Sequence, residues 1–241
     1  MRILLINPNT TESVTALVAQ HVTSVAGHDA TFVPVTGRFG ARYISTRASS
    51  AIAAHAALDA YATHGAGCDA VYLACFGDPG LMALREVAGV PVVGMAEASC
   101  IAAAKRGRFA IVTGGTLWKP MLTEFVASIG LADKLTGVRT IAPTGGEIAT
   151  NPDAALTSLA RACTACVTDD GADIVILGGA ALAGLSDRIQ PDVPVPVLCS
   201  VATGTHAAIA AAKRQCDDRA SPPALESIGL SMELAALLQR K

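Results

Sequence analysis

The chain of 241 residues is 51% apolar and only 16% charged, which excludes the disordered, collagenous and charged-tail classes and leaves enough material for a packed core. Its net charge of −2 comes without any cluster of Lys and Arg, so no face is built to neutralise a row of phosphates and nucleic acid is not the expected partner. Seven cysteines scattered through apolar runs fit reduced thiols in a cytoplasmic protein better than a disulfide scaffold, and no apolar run approaches the ~18 residues of a membrane span.

From the N-terminus, Arg2 to Asn7 is a short apolar run ahead of Asn7-Pro8-Asn9-Thr10, too short for an export signal. Similar β-branched runs follow at Thr31 to Val35, Ala70 to Cys75, Val90 to Gly94, Phe109 to Thr113, Val138 to Ile141, Ile174 to Gly178 and Val195 to Cys199. Most are apolar throughout rather than alternating, as in strands covered on both faces, and Ala-rich segments of helical length separate them. The pattern predicts an α/β fold with mainly parallel sheets. Self-comparison points to a duplication. Asp69-Ala-Val-Tyr-Leu-Ala-Cys75 aligns with Asp173-Ile-Val-Ile-Leu-Gly-Gly179, Pro91 to Gly94 with Pro196 to Cys199, and Arg2 to Thr10 with Arg108 to Thr116.

Ligands of open α/β sheets bind beyond the carboxyl ends of the strands, which directs attention to Asn7 to Thr10, Cys75 to Pro79, Thr113 to Thr116, Gly178 to Ala180 and Cys199 to Ser200. Cys75 ends a strand, and in the following Phe76-Gly77-Asp78-Pro79-Gly80 the expected helix start has Asp78 as N-cap and Pro79 as first helical residue. That placement would lower the thiol pKa and supply thiolate. The loops Asn7 to Thr10 and Thr113 to Thr116 offer amides, hydroxyls and N–H groups suited to carboxylates and enolates, without the Lys or Gly pattern of a phosphate site. Cys163 and Cys166 have CxxC spacing but fall in a predicted helix, Ala154 to Val167, with no second pair, so no metal is expected. His206 is expected on a helix surface, and Arg47 lies in a segment, Tyr43 to Ser50, that is either a carboxylate partner or a plain loop.

Asn7-Pro8-Asn9-Thr10, Ala74-Cys75-Phe76-Gly77-Asp78-Pro79-Gly80, Pro91 to Ala98 and Ile111-Val-Thr-Gly-Gly-Thr-Leu-Trp118 together resemble the hydantoin racemase branch of the aspartate/glutamate racemase superfamily, along nearly the whole chain. The resemblance implies two pseudo-twofold-related Rossmann-like halves with the active site in the cleft between them, residues 1–97 plus about 205–241 forming one and 98–204 the other. It further implies cofactor-independent proton transfer at the carbon next to a carbonyl, on a small molecule with a carboxylate or cyclic amide, by one cysteine from each half. Cys75 would be the catalytic thiol, with Asn7, Asn9, Thr10, Phe76, Gly77, Thr113, Gly114, Thr116, Gly178, Gly179 and Ala180 around the substrate. Tyr43, Phe76 and Trp118 are expected to shape the side-chain pocket, and a homo-oligomer is plausible.

The sequence departs from that pattern at one point. Leu177-Gly178-Gly179-Ala180 puts Gly179 where the second cysteine is expected. Three expectations follow: Cys199 as the substitute acid or base, a bound water on the far face, or a changed chemistry. The changed chemistry would resemble arylmalonate decarboxylase, with Cys75 as the single acid and the Gly178 and Gly179 N–H groups turned to the substrate carboxylate; a binding protein without turnover is the remaining alternative.

Overall fold

In the computed structural model, which describes residues 1–142, 144–214 and 223–239, the first sheet is built from β1 (Arg2–Asn7), β2 (Thr31–Thr36), β3 (Ala70–Leu73) and β4 (Val92–Gly94). Helices α1 (Glu12–Ala26), α2 (Arg47–His64) and α3 (Leu81–Val87) connect its strands, and α4 (Met95–Ala104) leads out of it. The second sheet contains β5 (Phe109–Gly114), β6 (Leu135–Ile141), β7 (Ile174–Leu177) and β8 (Val197–Cys199). Its helices are α5 (Trp118–Ser128), α6 (Gly145–Thr150), α7 (Pro152–Thr168), α8 (Leu185–Ile189) and α9 (Ser200–Ala212), and α10 (Met232–Leu238) packs back on α2. All eight expected strands are present, with ends shifted by up to three residues.

The two sheets have the same order, β2-β1-β3-β4 and β6-β5-β7-β8, and every strand pair is parallel. Parallel strands need crossover helices, which cover both faces and make the strands apolar on both sides. The side-chain period of two is visible in the core. Ile3, Leu5, Tyr72, Phe109, Ile111 and Ile176 point into one cluster shared by both sheets and α1, α4, α5 and α9. Leu4, Ile6, Val71 and Leu73 face α2 and α3, and Val112, Val175 and Leu177 face α6, α7 and α8. Each such buried side chain contributes about 1.5–3 kcal/mol.

Polar contacts repeat with the strands. The Arg2 N–H donates to Asp69 Oδ2 at 2.7 Å and the Arg108 N–H to Asp173 Oδ2 at 2.8 Å. Each Arg guanidinium then reaches a carbonyl just upstream of its partner, Ala66 at 2.7 Å and Gly171 at 2.9 Å. Helix α9 lies on β3 because Gly204 is bare: a Cβ there would stand 2.3 Å from Tyr72 Oη, whose hydroxyl donates to the Val201 carbonyl at 3.1 Å. This packing brings the carboxyl ends of β1, β3, β5 and β7 together.

The helix after Cys75 corrects the sequence expectation. α3 starts at Leu81 with Gly80 as its N-cap at φ 79°, so Pro79 lies outside it and Asp78, itself at φ 48°, does not cap it. Instead Asp78 Oδ1 and Oδ2 accept from the Ala96 and Glu97 N–H groups at 2.9 and 2.7 Å, capping α4. Gly94 makes room for this, since a Cβ there would come 2.2 Å from Asp78 Oδ2. Among the described residues, no helix is long and apolar enough to cross a membrane.

Candidate active site

Where the strand ends meet lies a cavity of about 180 Å³, lined from the first half by Asn7, Asn9, Tyr43, Ile44, Ser45, Cys75 and Phe76 and from the second by Thr113, Gly114, Trp118, Thr144, Gly145 and Gly178 to Leu182. The two halves touch here. A Cβ on Gly178 would stand 2.4 Å from Phe76 Cε1, and one on Gly146 2.4 Å from Tyr43 Cζ. Both glycines are therefore bare because an aromatic ring from the other half lies against them. The volume is below the ~300–1,000 Å³ typical of sites for drug-sized ligands, which favours a small substrate.

Cys75 is 8% exposed, in contact with Ile44, Ala53 and Trp118. Burial, reinforced by the charge of Asp78, pushes its thiol up, so the sulfur rests protonated. This reverses the expected effect of a helix N-terminus, because the helix after Cys75 begins only six residues later, at Leu81, and burial dominates at the sulfur. Asp78 is itself pushed up to about 7 by burial, against the pull of its two backbone donors.

Hydrogen bonds assign the polar wall. Asn7 Nδ2 donates to Asn9 Oδ1 and Thr15 Oγ1, both at 2.9 Å, and Asn7 Oδ1 accepts from the Asn9 N–H at 3.3 Å, so Asn7 is spent within the protein. Asn9 Oδ1 also accepts from the Thr11 N–H at 2.9 Å. With its oxygen fixed by two donors, Asn9 turns Nδ2 outward as a cavity donor. The Thr113 hydroxyl has no partner among the described residues and lies 3.8 Å from where a Cβ on Gly179 would be.

Several expected contacts are placed elsewhere. The Gly178 N–H donates to the Val112 carbonyl at 2.9 Å and the Gly179 N–H to Ser200 Oγ at 3.1 Å, so neither is offered to a ligand. The neighbouring Ala180 and Ala181 N–H groups have no acceptor among the described residues. Thr10, Gly77 and Thr116 do not line the cavity: the Thr10 N–H holds the Ala41 carbonyl, Gly77 lies under Trp118, and Thr116 is exposed. Cys199 is also outside it, with Sγ 3.5 Å from His21 Nε2. Arg47 opens α2 and pairs with Glu124 on the surface, and His206 is exposed on α9. Cys163 and Cys166 are buried in α7, and no group of three or more His, Cys, Asp or Glu among the described residues is placed to hold a metal.

Sequence reasoning did not select Ser45, Thr144, Gly145, Ala181 or Leu182. For two of these a signal exists: Thr144-Gly-Gly-Glu147 is a capping-box spacing, and the structure has both of its hydrogen bonds at the start of α6. It stands just past the end of β6, a strand end left out of the initial selection.

A family model described as Asp/Glu/Hydantoin racemase matches residues 3–208. The chain belongs to this family. It is 32% identical over 206 residues to a hydantoin racemase of Pseudomonas sp. (strain NS671), covering 85% of this chain and 83% of that one. An allantoin racemase structure from Klebsiella pneumoniae is 27% identical, with a TM-score of 0.88 over 98% of both chains. Arylmalonate decarboxylase, as a liganded mutant, shares the fold at 18% identity, with a TM-score of 0.66 over 91% of this chain and 96% of that one. Membership of the family, with hydantoin racemases among its relatives, makes this chain an isomerase of the racemase kind.

Proposed function

We propose that the chain is a cofactor-independent racemase or epimerase of hydantoin-like compounds, moving the proton on the ring carbon next to a carbonyl with Cys75 as its acid and base. The observation behind this is the charge inventory of the cavity wall. Apart from Cys75 and the Tyr43 phenol, none of the lining residues titrates, and none is Lys, Arg, His, Asp or Glu. A free amino acid or a malonate brought there would have a charge to bury without a counter-ion, which is costly. A neutral cyclic amide would not, and its carbonyls and N–H groups match the amide, hydroxyl and backbone donors.

In the proposed cycle the Cys75 thiolate takes the proton from one face of the carbon. The negative charge moves to the carbonyl oxygen, where Asn9 Nδ2 and the Ala180 and Ala181 N–H groups stabilise it. On the opposite face Gly179 leaves volume beside the Thr113 hydroxyl, and a water held there returns a proton. The hydroxide formed recovers the proton from Cys75 through solvent, and the cycle closes. Burial makes the thiolate scarce at neutral pH and strongly basic once formed.

Gly179 keeps a decarboxylase of the single-thiol kind as the second reading, against which the cation-free wall speaks. One experiment separates the two. Single enantiomers of hydantoins and allantoin, with an arylmalonate alongside, are incubated in D₂O and followed by proton NMR and polarimetry. Exchange with loss of rotation is expected for a cyclic amide; carbon dioxide release with a single-handed product would replace the racemase by a decarboxylase.

A further inference from the structure

Outside the cavity, one pair of side chains has chemistry the proposed cycle does not use. Cys199 ends β8 at the N-cap of α9, a helix of 13 residues, and its half-buried sulfur lies 3.5 Å from Nε2 of His21 on α1. The backbone N–H groups of Gly184 and Ala202 are near enough to favour its charged form. His21 is in turn close to Gly184, whose Cβ would stand 3.5 Å from Nδ1, and feels Asp187 on α8.

The duplication explains why an anion belongs at this point. Aligning Pro91 with Pro196 puts Gly94 opposite Cys199 and Glu97 opposite Ala202. In the first half the Glu97 N–H is capped by the Asp78 carboxylate at 2.7 Å. The residue corresponding to Asp78 in the second half is Leu182, which has no acceptor, so no carboxylate among the described residues caps α9, and Cys199 is the side chain that stands at this helix start. A sulfur at a helix N-terminus beside an imidazole is shifted toward thiolate.

We infer that the Cys199–His21 pair is a modification site at which small hydroperoxides oxidise the protein. The thiolate attacks the terminal peroxide oxygen, an S–O bond forms and the O–O bond breaks. Sulfur loses two electrons to become sulfenic acid, and His21 imidazolium gives its proton to the departing oxyanion, which leaves as water from hydrogen peroxide or as an alcohol from an alkyl hydroperoxide. A low-molecular-weight thiol reverses the change: one thiol forms a mixed disulfide and releases water, and a second restores Cys199. No cavity is needed for so small an oxidant. Burial alone would raise the Cys199 thiol, but its contact with His21 and the nearby Gly184 and Ala202 N–H groups hold it below the ordinary value, whereas Cys68, Cys75, Cys100, Cys163 and Cys166 are all pushed up.

The full chain is treated at neutral pH with hydrogen peroxide and dimedone, and adducts are assigned by peptide mass spectrometry. Cys199 is expected to carry the adduct more than about tenfold faster than any other cysteine, and His21→Gln is expected to slow it several-fold. Adduct spread evenly over the cysteines, adduct on Cys216 in place of Cys199, or an unchanged rate in a folded His21→Gln would each overturn the inference. The labelling pattern of the unmodified protein decides the matter alone if that variant does not fold. None of these readouts requires racemase turnover.

Discussion

At the residue scale, Cys75, Gly179 and Thr113 divide the proposed chemistry between the two faces of one carbon. Cys75→Ser should lower hydrogen exchange at the substrate carbon about 10²–10⁴-fold, the range for losing a positioned acid–base group, as read by NMR in D₂O. Because the thiol is pushed up, the rate in the unaltered protein should climb about tenfold per pH unit above neutrality, and a rate independent of pH from 7 to 9 would remove Cys75 as the base. Thr113→Val keeps the shape and removes the hydroxyl. Exchange on the Cys75 face should persist in it while loss of optical rotation slows about tenfold, the equivalent of ~1.4 kcal/mol. Gly179→Cys should do the opposite, speeding loss of rotation by adding a second thiol. A Cβ at 179 meets nothing closer than Leu182 at 3.6 Å, but the backbone at φ 143° will cost about 1–3 kcal/mol. The position of Cys75 and Gly179 on the cavity wall was legible in the sequence because a strand end and an internal repeat both point to them. The division of labour between Asn7 and Asn9 was not, since it rests on which amide oxygen collects two donors in space.

At the element scale, the Asp78 cap shows where local sequence logic stops. Asp78-Pro79-Gly80 reads as the opening of the next helix, and within ten residues of sequence nothing contradicts this. The structure sends the carboxylate sideways to α4 instead, because β4 is the neighbour of β3 in the sheet and delivers the α4 N-terminus beside it. Strand order, a long-range property, decides which helix is capped. Asp78→Ala should therefore destabilise the protein by about 1–2 kcal/mol for the lost cap, and somewhat more because the Ala96 N–H is buried and would be left without an acceptor. Urea denaturation would measure this, with Asp78→Asn recovering part of the loss; an Asp78→Ala midpoint equal to that of the unaltered protein would dismiss the cap. The strands were the easier elements to find, since their apolar runs are set by burial on both faces.

At the scale of the whole molecule, the duplicated architecture buries cysteines that the unfolded chain exposes. Cys75, Cys100, Cys163 and Cys166 are 8%, 0%, 0% and 0% exposed, and burial raises all four, Cys163 and Cys166 to about 12. In the unfolded chain these thiols ionise near ~8.5. Between that value and the folded ones, the unfolded state has lost protons that the folded state still holds, so stability is complete below about 8.5 and falls as pH rises. Each thiol contributes a slope approaching ~1.4 kcal/mol per pH unit once ionised in the unfolded state. Four together reach roughly 5 kcal/mol per unit, enough to erase a typical ~5–15 kcal/mol of stability within one to three units. Cys199, held below the ordinary thiol value, acts in the other direction and gains stability as pH rises toward that of the unfolded thiol. Urea midpoints measured from pH 7.5 to 10.5 should therefore fall steeply above about pH 9 and recover on return to 7.5. Replacing Cys100 and Cys163 by Ala should flatten that fall by about half while lowering stability at pH 7.5 only modestly, and a midpoint insensitive to pH in the unaltered protein would mean that the thiols ionise as freely in the folded core as outside it.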